Sequence, residues 1–181
     1  MNYEVPRIKQ LNRSNKNLPE HGTDVIGFKF ESSVDEPSRK DILIAAEVKA
    51  NLSGTNFNTI KKAVKDSKKD NFRIATTLDY YRLKLKQYGD VDNARKILRF
   101  ERKSELPYKT IYNAFAITSL DVIDDNTIIQ INGSDLNLAL NQNVYFVHGK
   151  DLMELAHNVY DRCKESVSYT HLRAHETLMN L

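Results

Sequence analysis

Short β-like runs flank a long, polar, helix-patterned middle. Residues 23–30 (TDVIGFKF) are β-branched with alternation at their end, which predicts a strand. Residues 41–50 (DILIAAEVKA) form an apolar run that turns polar at its close, the pattern of a buried central strand. The polar stretch between them (ESSVDEPSRK) suggests an antiparallel pair joined by a long loop. After the turn signal Ser53-Gly54-Thr55-Asn56, Phe57, Ile60 and Val64 fall at i, i+3 and i+7 and predict a helix. A second helix is expected over 72–88, ending at Gly89, and a third over 92–103, capped by Asp90 or Asp92. Strands are then expected at 111–118, 127–131 and 144–148, the last leading into an amphipathic helix over 151–160. Strands, helices, strands and a helix predict an α/β chain with a mixed sheet flanked by helices.

Composition narrows the class. The 181 residues are 40% hydrophobic and 28% charged, the balance of one globular domain with its own core. A single cysteine, Cys163, excludes an internal disulfide framework and a Cys-based zinc cluster. No apolar run approaches the roughly 18 residues of a membrane span, and the N-terminus has no signal-peptide core, so a cytoplasmic location without membrane partners is expected. Net charge is +3, but it is unevenly spread. Residues 61–103 hold 14 Lys/Arg against 6 Asp/Glu, and the rest of the chain 13 against 18. Such a basic section is either a set of solvated helical faces or a phosphate-facing surface. Lys61, Lys62 and Lys65 are the candidates for backbone-phosphate contacts, which position nucleic acid without reading its sequence. Tyr80 and Tyr81 could stack on bases, although core packing explains a helical aromatic more often.

The closing segment is a separate case. His171 and His175 stand at i, i+4, a spacing that can hold a metal on a helix. The string VSYTHLRAHET, however, resembles the translation of a sequencing adapter. The expected organisation is therefore a domain over 1–166 followed by a non-native tail over 167–181.

The candidate chemistry lies at the strand ends. Asp24 opens the first predicted strand, and Glu47-Val48-Lys49 closes the second. Period two puts Glu47 and Lys49 on one face of their strand, with Val48 turned away. If the strands pair, Asp24 approaches Glu47 and two hard carboxylates point at one spot. That suits Mg2+, which takes one or two carboxylates and completes its shell with water and phosphate. A neighbouring lysine can position a water and offset charge on a phosphate. A bare Glu-x-Lys is weak by itself, since it also fits a core strand whose polar end reaches solvent.

The arrangement resembles the PD-(D/E)xK nuclease superfamily, with its restriction-endonuclease-like fold. More specifically, HGTDVIG (21–27), IAAEVKA (44–50) and the closing VYFVHGKDLMELAHNVYDRC (144–163) resemble the HamA family, the nuclease component of Hachiman anti-phage defence. The resemblance implies Asp24 and Glu47 as ligands of Mg2+ (or Mn2+), with the Val48 carbonyl as a further ligand and Lys49 as the catalytic lysine. It also implies DNA as substrate and a helicase as partner protein. Members usually carry a helical N-terminal portion, whereas the residues before Asp24 do not read as a helix, so an N-terminally truncated domain is expected. The competing reading is a non-catalytic nucleic-acid-binding or protein-interaction module on the same fold.

Overall fold

The computed structural model describes residues 3–6, 22–52, 58–119 and 136–162. Strands β1 (Val25–Lys29) and β2 (Ile42–Asn51) are followed by helices α1 (Thr59–Gln87) and α2 (Val91–Glu101). Strands β3 (Lys109–Ser119) and β4 (Gln142–Gly149) come next, and residues 152–162 form a third helix, α3. The strands make one mixed sheet in the order β1-β2-β3-β4. β1 runs antiparallel to β2, whereas β2, β3 and β4 are mutually parallel. The long α1–α2 excursion is what allows β3 to return parallel to β2. The expected α/β chain with a mixed, helix-flanked sheet is thus observed. The turn expected at 53–56 with Phe57, the strand expected over 127–131, Cys163 and the segment 167–181 all lie outside the described residues.

One expectation is corrected. The helix expected after the turn at 53–56 and the second expected over 72–88 are in fact a single 29-residue helix. The polar run Lys68-Lys69-Asp70-Asn71 resembles a helix end. Yet it contains no glycine or proline, and the buried stripe resumes beyond it at Thr77, Leu78, Tyr81 and Leu85. α1 ends where a residue can adopt positive φ, at Gly89 (φ 76°). Asp90 then caps α2, its carboxylate accepting from the Asn93 N–H at 3.2 Å.

α1 lies across one face of the sheet and builds a core on each side of its midpoint. Its C-terminal half packs with Ile26, Phe28, Leu43, Ile97 and Phe100. There Phe28 stacks on Phe100 at 5.6 Å, and Tyr108 meets Phe100 edge-on at 4.9 Å. Its N-terminal half packs Ile60, Ala63 and Val64 on Ala114 and Ala116. Between the two cores the buried stripe turns polar at Ser67 and Asp70, so the middle of α1 presents polar groups to the sheet. No helix among the described residues is long and apolar enough to cross a membrane.

Candidate active site

Register decides which side chains meet. Val25 pairs with Ala46, and one step further along the antiparallel pair places Asp24, just before β1, opposite Glu47. Period two then puts Asp24, Glu47 and Lys49 on the sheet face that α1 covers, with Val48 on the other. The Asp24 carboxylate accepts a hydrogen bond from the Val48 N–H at 3.0 Å. This bond ties the segment entering β1 to the Glu-x-Lys end of β2.

Glu47 is buried, and its Oε1 accepts from Lys49 Nζ at 2.5 Å. Lys49 Nζ also lies 3.2 Å from Asp66 of α1, whose other oxygen holds Lys69 Nζ at 2.6 Å. One α-helical turn on, the fully buried Asp70 accepts from Thr23 Oγ1 at 3.0 Å and from Arg73 at 2.8 Å. Arg73 in turn stands 3.9 Å from Glu47 Oε2. Tyr81 donates to the Thr23 carbonyl at 3.0 Å and so anchors the residue before Asp24 to the same helix. A continuous polar network therefore joins Thr23, Glu47 and Lys49 to Asp66, Asp70 and Arg73.

The electrostatics follow from this geometry. Partial burial works against the Lys49 ammonium, but hydrogen bonds and charge from Glu47 and Asp66 outweigh it and raise its pKa. Lys49 is accordingly a cation near neutral pH, with its ammonium protons available to donate. The Lys69 hydrogen bond, with help from Lys49, lowers Asp66 against the opposing effect of burial. Burial raises Asp70, more than Thr23 and Arg73 lower it, and the Glu47 charge adds to the rise. Three atoms of α1 in this region, Ser67 Oγ, Asp70 Oδ2 and Arg73 Nε, are buried without a hydrogen-bond partner among the described residues.

Among the described residues, no group of three or more His, Cys, Asp or Glu side chains forms a metal cage. The donor chemistry still fits a hard divalent cation: the register sets two carboxylate residues, Asp24 and Glu47, opposite each other on one sheet face, and Mg2+ accepts that number with water completing its octahedron. Lys61, Lys62 and Lys65 are exposed on the first turns of α1 and do not join the network. Sequence reasoning missed Asp66, Asp70 and Arg73. Their signal is polar residues recurring at core-facing spacing inside an amphipathic helix, here Ser67 and Asp70 between Val64 and Leu78.

The protein-family model described as HamA matches residues 2–163. Neither the curated proteins nor the solved structures yield a match.

Proposed function

The chain belongs to the HamA family, and on that premise we propose that it is the nuclease component of a Hachiman-type anti-phage defence system. On this reading it is a restriction-endonuclease-like domain that hydrolyses phosphodiester bonds in DNA and works with a helicase partner. Asp24 and Glu47 hold Mg2+ (or Mn2+), with the Val48 carbonyl as a further ligand. Bound there, the ion supplies charge stabilisation at the phosphate and a more acidic water.

The chain's own residues do the rest. Hydrolysis forms a bond from a water oxygen to phosphorus and breaks one P–O bond to a sugar; the proton the water loses passes to solvent, the sugar oxygen takes one up, and charge develops on a non-bridging phosphate oxygen. Lys49, kept protonated by Glu47 and Asp66, donates to that oxygen or orients the water. Asp66 fixes where the ammonium points, and Arg73 partly offsets the charge on buried Glu47. Lys61, Lys62 and Lys65 steady the DNA backbone from the exposed side of α1.

The observation that carries the reading is the placement of Lys49 Nζ between Glu47 and Asp66, at the strand end that Asp24 bonds. The test is cleavage of plasmid DNA in Mg2+ by the chain with its partner helicase, alongside Lys49→Ala and an EDTA control. The expected result is loss of about 100-fold or more on losing one transition-state donor. Undiminished cleavage by Lys49→Ala refutes the assignment. DNA binding with no Mg2+-dependent cleavage supports the non-catalytic module instead.

A further inference from the structure

The proposed chemistry uses the face of α1 that meets β2, and another face of that helix is left over. Lys61, Lys65, Lys68 and Phe72 recur at i, i+4, i+7 and i+11, which is a single stripe on an α-helix. Lys61 and Lys65 are exposed, Lys68 is half-buried, and Phe72 is 86% exposed, more than any other aromatic among the described residues. A row of cations ending in an aromatic ring open to water matches the requirements of an unpaired nucleic-acid strand. Phosphates find cations, and a base finds a flat apolar surface.

Phe72 also borders a cavity of about 360 Å³ between α1, the start of β3 and the turn entering β4. That volume lies within the usual range for small-ligand sites. Ser67 lines the cavity, and its buried Oγ finds no hydrogen-bond partner among the described residues. Lys68 and Lys103 bring two cations to it. Lys103 is held by Thr110 Oγ1 at 2.8 Å, and Lys68 donates to the Asn137 carbonyl. Asn71 and Tyr112, bonded to each other at 2.9 Å, add polar groups to the wall. Burial, and then the charge of Asp70, raise the Tyr112 hydroxyl pKa, so this wall of the cavity stays neutral.

We propose that this cavity is a nucleotide subsite, which takes the base of one unpaired nucleotide on the Phe72 ring and its flanking phosphates on Lys68 and Lys103. Lys61 and Lys65 hold the strand as it runs along α1. The proposal deepens the nuclease reading and rests on it for the identity of the strand as substrate. It adds that the strand is unpaired at this point, because a base inside a duplex cannot offer its face to a side chain.

The chain contains no tryptophan, so Phe72→Trp installs a single reporter at an open position where folding is not at risk. The probe is an oligothymidylate of about ten nucleotides, within the span of typical single-strand sites. The expected result is quenching of the indole emission of that variant on binding, with Phe72→Ala weakening the affinity of the chain for the same probe by about 5- to 100-fold. Lys68→Ala should reduce the dependence of log K on log salt by about 0.7, the contribution of one phosphate contact on a single strand. Unchanged emission on binding, equal affinity for the Phe72→Ala chain, or equal quenching by polyglutamate each overturns the subsite. The two readings fail separately. Cleavage lost in Lys49→Ala with no Phe72 effect leaves the nuclease and removes the subsite. Phe72-dependent binding without any cleavage leaves the subsite and removes the nuclease.

Discussion

Replacing Asp41 by Asn should unfold the strand that carries Glu47 and Lys49 at a much lower denaturant concentration. Asp41 is fully buried at the entrance to β2. Its carboxylate accepts from the Glu31 N–H at 2.9 Å, the Ser38 N–H at 3.0 Å and Arg99 at 2.7 Å. Its carbonyl accepts from the Lys109 N–H at 2.9 Å, which begins the β2–β3 ladder. Arg99 is also buried and binds the Leu106 and Ser38 carbonyls at 2.9 and 3.0 Å. An Asn at 41 keeps one acceptor but turns an amide toward the donors of Ser38 and Arg99, leaving a buried guanidinium uncompensated. Removing one partner of such a pair costs about 3–5 kcal/mol. With a urea slope of about 2 kcal/mol/M, the midpoint should fall by roughly 2 M without a change in slope. Arg99→Met should be similarly harmful alone. The double variant should be less destabilised than the sum by about 0.5–3 kcal/mol, because neither orphan charge remains. Urea unfolding followed by circular dichroism measures all four proteins. A loss under about 1 kcal/mol for Asp41→Asn, or strict additivity in the cycle, would refute the claim that this pair anchors β2.

Three further outcomes separate the site from the scaffold. Lys49→Met should abolish cleavage while costing less stability than Asp41→Asn, because its ammonium is a third exposed and Arg73 remains 3.9 Å from the buried Glu47 carboxylate; a urea-midpoint shift as large as that of Asp41→Asn would make Lys49 structural. Asp66→Asn removes one of the two carboxylates that hold the Lys49 ammonium, so kcat should fall and the alkaline limb of the pH–rate profile should move to lower pH; a fall in kcat with an unmoved alkaline limb would show that Asp66 does not act through Lys49. Asp70, whose pKa is raised by burial, contributes stability that is complete below the ordinary carboxylate value of 3.8 and is lost as pH rises through its folded value. Asp70→Asn should therefore compare better with the parent near pH 7 than near pH 4 in urea midpoints, and the opposite trend would contradict the raised pKa.

What is legible in the sequence is what depends on local pattern. The apolar run 41–50 can only be a central strand, because both of its faces must be covered, and the structure places it between β1 and β3. Asp24 opposite Glu47 is also legible, since a long polar loop between two β-like runs implies antiparallel pairing. Other features depend on how distant segments come into register. Asp66, Asp70 and Arg73 join the site only because α1 crosses the sheet with its midpoint over Glu47, and no local pattern contains that crossing. The Asp41–Arg99 pair spans 58 residues and is invisible for the same reason. The separate helix expected to start at Phe72 has a related origin. A polar step in a buried stripe resembles the end of a helix, whereas here it marks the place where the helix meets a charged strand end.

That polar step bears on whether the network exists for stability or for chemistry. A helix that only needed to cover the sheet would continue its apolar stripe from Val64 through 67 and 70 to Leu78. Instead α1 places Ser67 and Asp70 there, both fully buried, and leaves Ser67 Oγ, Asp70 Oδ2 and Arg73 Nε without partners among the described residues. Each unsatisfied buried polar atom costs about 1–3 kcal/mol, a large fraction of a typical margin of about 5–15 kcal/mol. The apolar cores on either side, around Phe28 and Phe100 and around Ala114 and Ala116, supply the burial that tolerates this loss. Local violations of packing logic of this kind concentrate at functional sites. The violation here lies between the Glu-x-Lys end of β2 and the cavity beside Phe72, and it touches both. The network is therefore better understood as a link between the proposed cleavage centre and the proposed nucleotide subsite than as part of the scaffold.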